Sequence, residues 1–123
     1  MLRFQILGET PSKKNVNKFN TKTKAVYKAS HYQKWYQDAM LQLQTQIAIT
    51  KPEVIDWPVS ITLTFYHGDQ TRRDSDNQTA SIMDLLQDAK VLADDRWQIV
   101  RILNIYNHYD KGNARCLIEI NEL

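Results

Sequence analysis

Arg72-Arg73-Asp74-Ser75-Asp76-Asn77 stands between two stretches of different hydrophobic period, and the fold follows from how the three are read together. Upstream, Val59, Ile61, Leu63 and Phe65 alternate with Ser60, Thr62, Thr64 and Tyr66, the two-residue period of a half-buried strand. Downstream, Ile82, Leu85, Leu86 and Ala89 recur at helical spacing, and Asp76 or Asn77 suits the cap position of that helix. A strand therefore delivers the chain to an acidic turn, and a helix leaves from it. The helix start offers partial positive charge and free N–H groups, which favour Asp74, Asp76 and an incoming phosphate alike.

Beyond the helix, Leu92-Ala93-Asp94-Asp95 leads into a β-forming run from Ile99 to Tyr106. Asp110-Lys111-Gly112-Asn113 then supplies a turn before a last run holding Cys116, Ile118 and Ile120, and the two runs predict a hairpin. At the other end Leu2, Phe4 and Ile6 alternate with Arg3 and Gln5, so a strand enters a loop near Gly8-Glu9-Thr10-Pro11. Lys24 to Lys28 reads as a short extended piece ending at Ser30, whose hydroxyl caps a helix with Gln33 in the capping-box position. Tyr32, Trp35, Tyr36, Ala39, Met40, Leu43 and Ile47 then form one apolar stripe. Two helical stripes and several period-two runs predict a two-layer α+β domain, with two main helices packed on one face of a mixed or antiparallel sheet.

A chain of 123 residues with 42% hydrophobic content suits one domain over 1–123, large enough for a real core and too small for two. The single Cys116 leaves no internal disulfide and no cysteine cluster for zinc. No apolar run approaches a membrane span, and Met1-Leu2-Arg3-Phe4 alternates rather than forming a signal-peptide core, so a cytoplasmic protein without a membrane partner is expected. His31, His67 and His108 lack zinc-ligand spacing and read as surface or satisfied core residues. Trp57 and Trp97 read as core or dimer contacts rather than as wedges for DNA.

The net charge of +2 hides an uneven distribution. No Asp or Glu occurs between Thr10 and Gln37, where Lys13, Lys14, Lys18, Lys22, Lys24, Lys28 and Lys34 all fall. Phe19, Tyr27 and Tyr32 are interleaved with Asn15, Asn17 and Asn20, a mixture that contacts phosphates, stacks on bases and donates hydrogen bonds. A solvated lysine-rich loop is the plain alternative, and the acidic turn on the same small domain favours nucleic acid over it.

Asp74 and Asp76 alone are compatible with nothing more than a turn and a cap. The acidic pair Asp94-Asp95, returning after a helix and a turn, points instead to elements converging on one hard cation. Magnesium takes oxygen ligands and keeps several waters, so a few aspartates and a phosphate oxygen complete its shell, while Arg72 and Arg73 hold phosphates. A calcium EF-hand is excluded, because counting from Asp74 the sixth position is Thr79 rather than Gly and the twelfth is Leu85 rather than Glu.

The run Arg72 to Asn77, the helix through Asp84-Leu85-Leu86 and Val91-Leu92-Ala93-Asp94-Asp95 resemble the central signature of the RusA family of Holliday junction resolvases, without a gap in spacing. Pro11-Ser12-Lys13-Lys14-Asn15 more loosely resembles that family's N-terminal Pro-Ser-x-x-Asn loop. The resemblance implies a RusA-like fold, a homodimer and a magnesium-dependent crossover junction endodeoxyribonuclease of bacteria and their prophages, nicking opposing strands of branched, four-way DNA. It makes Asp74, Asp76 and Asp95 the catalytic, metal-binding carboxylates, with Lys13, Lys14, Asn15, Lys18, Arg72 and Arg73 expected on DNA. Asn77 matches a motif position suited to capping, and Asp84 an acidic position without an assigned role.

One position departs from the pattern. Ala80, four residues after Asp76 and so on the same helical face, stands where the family carries a lysine. A cation there stabilises charge developing on the transferred phosphate, worth about 3 kcal/mol at comparable donors. Either another lysine, with Lys13 or Lys14 the candidates, supplies that charge, or the position was altered, or the chain is a weak or DNA-binding-only relative. A nuclease for other branched or single-stranded DNA is a third class, sharing the metal chemistry but not the binding surface.

Overall fold

The period-two runs form strands at the predicted places, and they assemble into one mixed sheet. A computed structural model describes residues 1–12 and 22–123, with elements β1 (Leu2–Leu7), α1 (Lys22–Thr50), β2 (Val59–His67), α2 (Ser75–Asp88), β3 (Val100–Tyr109) and β4 (Arg115–Glu122). The strand order is β1-β4-β2-β3. β4 runs antiparallel to both neighbours, with Ile118 between Phe4 and Leu63, whereas β2 and β3 are parallel, with Leu63 beside Ile105.

The expected hairpin between the last two strands does not form, because β2 lies between them. The β2–α2–β3 segment is a crossover, and a helix of this length returns the chain to the start of the sheet so that the next strand runs parallel. The turn after β3 then passes over the end of β2, where Asp110 and Gly112 N–H groups donate to the carbonyls of His67 and Gly68, both at 2.9 Å. Gly112 adopts a φ of +69° there, a left-handed conformation that glycine takes without a Cβ penalty. Burial explains the order: β4 contributes Cys116, Ile118 and Ile120 to the core and sits inside, whereas β3 is largely exposed and forms an edge.

Both helices cover the same face. Phe4, Ile6, Ile61, Leu63, Phe65, Ile118 and Ile120 from the strands meet Trp35, Ala39 and Leu43 of α1 and Ile82, Leu85 and Leu86 of α2 in one buried cluster. Truncating a leucine such as Leu85, which has no exposed surface, to alanine costs about 2–5 kcal/mol in such a core. Tyr36 of α1 donates its hydroxyl to Asp88 at the end of α2, tying the helices together. Trp57 packs against this cluster as expected, but Trp97 is 69% exposed and is no core residue.

The first helix is longer than its stripe. No glycine or proline interrupts Lys22 to Thr50, so nothing breaks the helix, and Lys24–Lys28 is helical rather than extended. Ser30 is thus inside α1 and is not its cap. α1 also closes one sheet edge with side chains: the Gln46 amide accepts from Gln5 N at 2.9 Å and donates to Gln5 O at 2.7 Å. Gln42 does the same for Leu7, at 2.7 and 3.2 Å. Two glutamines thereby imitate a neighbouring strand along β1 and leave β3 as the open edge among the described residues.

Candidate metal and nucleic-acid site at the start of α2

The chain leaves β2 at His67, crosses Gly68 to Asp74 and enters α2 at Ser75, so the acidic turn lies at the C-terminal ends of the two parallel strands. Asn107, near the end of β3, donates to Ser75 Oγ at 3.2 Å and fixes this junction. The cap is two or three residues earlier than predicted: Asp74, with extended backbone, occupies the N-cap position in place of Asp76 or Asn77. Its carboxylate makes no capping hydrogen bond and remains available to a ligand. Asp76 is exposed in the first turn, and its Oδ1 accepts from Asn77 N at 3.0 Å. Asp74 and Asp76 thus share one helix start, as the sequence indicates.

Arg72 and Arg73 have different environments. Arg73 is held by Asp69 at 2.7 Å and lies 3.6 Å from Glu9. The Arg73 hydrogen bond keeps the Asp69 carboxyl well below the usual carboxylate range, and the same pairing raises the guanidinium. Arg72 is exposed and forms no ion pair among the described residues. It is the uncommitted cation beside Asp74.

Glu9 anchors this arrangement from the other end of the chain. Its Oε2 accepts from Gln78 Nε2 at 2.9 Å and lies 2.9 Å from His67 Nδ1, whose Nε2 is 2.8 Å from Asn107 Oδ1. His67, given no role by the sequence, therefore joins the segment after β1 to β2 and β3 around the helix start. Gln78, 1% exposed, also donates to Thr10 O at 2.6 Å, and Ser81 Oγ donates to Pro11 O at 2.7 Å. These bonds bind the segment after β1 onto α2. Glu9 and Gln78 are 69 residues apart, and local patterning carried no signal for their meeting.

Asp95 does not join Asp74 and Asp76 within the chain, contrary to the expected convergence. It follows α2 and precedes β3, at the opposite end of the parallel pair, where Ala93 N donates to Ile55 O and Val59 N to Ile99 O. A 14-residue helix spans about 21 Å, which sets the separation. Among the described residues no three acidic, histidine or cysteine side chains are grouped to hold a metal. Asp94 pairs with Arg96 at 3.7 Å, and Asp95 N donates to Asp94 Oδ1. Lys13, Lys14, Asn15 and Lys18 lie outside the described residues. Ala80 is exposed one turn beyond Asp76 and adds no charge.

The donor set at the helix start is two exposed carboxylates with oxygen ligands only. That fits magnesium, which is commonly bound through one or two carboxylates, waters and substrate phosphate. It does not make a closed cage for a softer metal.

Carboxylates at a helix start beside a free arginine are the furniture of phosphodiester chemistry, and the comparisons place the chain among DNA-cutting hydrolases. Residues 9–121 match the sequence model of the family described as Endodeoxyribonuclease RusA. The chain is also similar to the crossover junction endodeoxyribonuclease RusA of Aquifex aeolicus (strain VF5), 25% identical over 114 residues that cover 93% of this chain and 86% of the relative. The protein belongs to the RusA family of endodeoxyribonucleases.

Proposed function

We propose that this protein resolves four-way DNA junctions by paired nicks, using a divalent cation, magnesium, held at Asp74 and Asp76. The observation that carries the reading is the placement of two exposed carboxylates and the unpaired Arg72 at one helix start, in a chain that matches the family over 9–121. Asp74 and Asp76 would hold the cation, which would supply Lewis-acid activation of a phosphate oxygen and of the attacking water. Arg72 holds the phosphate, the α2 N–H groups add partial positive charge, and Glu9 keeps Arg73 and Gln78 in place. Affinity comes mainly from lysines on the backbone, Lys13, Lys14 and Lys18 among them, with Asn15 donating beside them.

The protein acts as a homodimer in this reading, and the second copy completes the metal site. β3 has a free edge and exposes Ile102, Leu103, Tyr106 and Tyr109. Antiparallel pairing of two such edges sets the start of one β3 against the end of the other. Asp95 of the second copy then comes to the Asp74–Asp76 end of the first, across the distance that α2 imposes within one chain. The exposed Trp97 lies in the same region and contributes to that contact.

Ala80 supports a second reading, a relative that binds junctions and cuts them weakly or not at all. Four-way junction, three-way junction, single-stranded flap and linear duplex, each with magnesium or chelator, separate the possibilities. Paired nicks confined to the four-way junction support the resolvase; nicks of flaps or single strands instead point to a broader branched-DNA nuclease; tight junction binding without nicks leaves the second reading.

A further inference from the structure

We propose that His67 is a positioning residue for phosphodiester cleavage, holding the start of α2 in place through Asn107 while touching neither metal nor DNA. This rests on the junction-nuclease reading and adds to it a residue whose loss slows the chemistry but leaves DNA binding intact.

One line of side chains runs through four segments. His67 Nδ1 lies 2.9 Å from Glu9 Oε2, its Nε2 lies 2.8 Å from Asn107 Oδ1, and Asn107 Nδ2 donates onward to Ser75 Oγ at 3.2 Å. The line begins after β1, crosses the ends of β2 and β3, and stops at the first residue of α2, between Asp74 and Asp76. The Phe65 ring is stacked against the imidazole at 6.3 Å between centroids, and the His67 side chain is only 18% exposed, so the ring has little room to turn away. Glu9 is itself anchored by Gln78 Nε2 at 2.9 Å, with Arg73 at 3.6 Å from its other oxygen. Both imidazole nitrogens are therefore committed within the protein, and neither is left to bind a metal or carry a proton to substrate.

The start of α2 needs such a support. Asp74 makes no capping hydrogen bond with its side chain, and the first-turn bond from Gln78 N to Asp74 O is long at 3.3 Å. The backbone of the turn thus holds Asp74 and Asp76 loosely, and the line from Glu9 through His67 fixes Ser75 between them. A misplacement of about 1 Å at reacting groups costs on the order of 100-fold in rate, so a support of this kind matters more to cleavage than to stability.

The two ring nitrogens can be replaced one at a time. An asparagine amide reaches the place of Nδ1 and a glutamine amide the place of Nε2, so His67→Asn keeps Glu9 and gives up Asn107, whereas His67→Gln does the reverse. Each variant, with Asn107→Ala beside them, is measured for junction affinity in chelator, single-turnover cleavage in magnesium and hydrogen exchange at the Gln78 amide, the last needing no catalysis. His67→Asn and Asn107→Ala leave junction affinity unchanged, slow cleavage about 100-fold and speed exchange at Gln78 roughly tenfold. His67→Gln retains most of the rate and the protection. Combining His67→Asn with Asn107→Ala slows cleavage no further than either alone, because both cut the same line.

The proposal is overturned if His67→Gln is as slow as His67→Asn, if the rate falls only in step with junction affinity, or if Asn107→Ala, at an exposed position, leaves rate and exchange as they were. An unmodified chain that nicks no junction defeats the nuclease reading instead, and the exchange pattern at Gln78 then decides by itself whether His67 positions the helix start.

Discussion

Asn107 donates its side-chain amide to Ser75 Oγ at 3.2 Å, joining the end of β3 to the first residue of α2. That bond places Asp74 and Asp76 at one end of the parallel pair and, through the length of α2, leaves Asp95 at the other. In the proposed dimer, a metal site using all three draws on two copies of the chain. Mixing Asp76→Asn with Asp95→Asn protein, each inactive alone, regenerates one intact site per mixed dimer and restores single-strand nicking. Subunit exchange followed by a junction nicking assay checks this; no recovery in verified mixed dimers contradicts the shared site.

The two arginines of the motif separate by their partners. Arg72→Ala leaves stability within about 0.5 kcal/mol and lowers the salt dependence of junction binding by about one unit of slope, the signature of one lost phosphate contact. Arg73→Ala lowers stability more than Arg72→Ala does, since it releases Asp69 and removes the cation beside Glu9. Urea unfolding and binding isotherms at several salt concentrations measure both.

Gln46 and Gln42 cover the β1 edge with four hydrogen bonds to main-chain groups of Gln5 and Leu7. Gln46→Ala costs about 1–2 kcal/mol and exposes the amide of Gln5 to exchange, readable by urea unfolding and hydrogen exchange. Equal protection in the variant means that the edge is closed by something else.

Burial first, and then the hydrogen bond and charge of Asp88, push the Tyr36 hydroxyl up to about 12 from its ordinary value of 10.0. The folded state thus holds this proton more tightly than the unfolded chain. Its contribution is fully present below pH 10 and is lost as pH rises from 10 towards 12. Tyr36→Phe removes that part of the pH dependence while costing stability at neutral pH. Unfolding curves at pH 9 and pH 11.5 make the comparison.

The alternation from Val59 to Tyr66 and the stripe Ile82, Leu85 and Leu86 made β2, α2 and the acidic turn between them legible, because each depends on neighbours within a few residues. The position of β4 was not legible: the Asp110–Asn113 turn is a local signal for a hairpin, but inward burial of Cys116, Ile118 and Ile120 draws the last strand to the far side of β2. Ser30 misled for a related reason, since a hydroxyl able to cap a helix stands equally well inside one. At the site, Asp74, Asp76 and Arg72 were readable from adjacency. Glu9, His67 and Thr10 were not, because the contacts that give them meaning join residues 58 or more positions apart. The distance of Asp95 was hidden in the direction of β3, which only the sheet reveals.

An end-labelled four-way junction and a matching linear duplex, incubated with the unmodified chain, Asp76→Asn and Ala80→Lys in magnesium or chelator, test the proposed activity most directly. Symmetric nicks in the junction alone are expected, dependent on magnesium, absent with Asp76→Asn and faster by about 100-fold with Ala80→Lys, the gain that one donor at the developing charge provides. Junction binding without cleavage by either the unmodified chain or Ala80→Lys, or cleavage that survives Asp76→Asn, contradicts it.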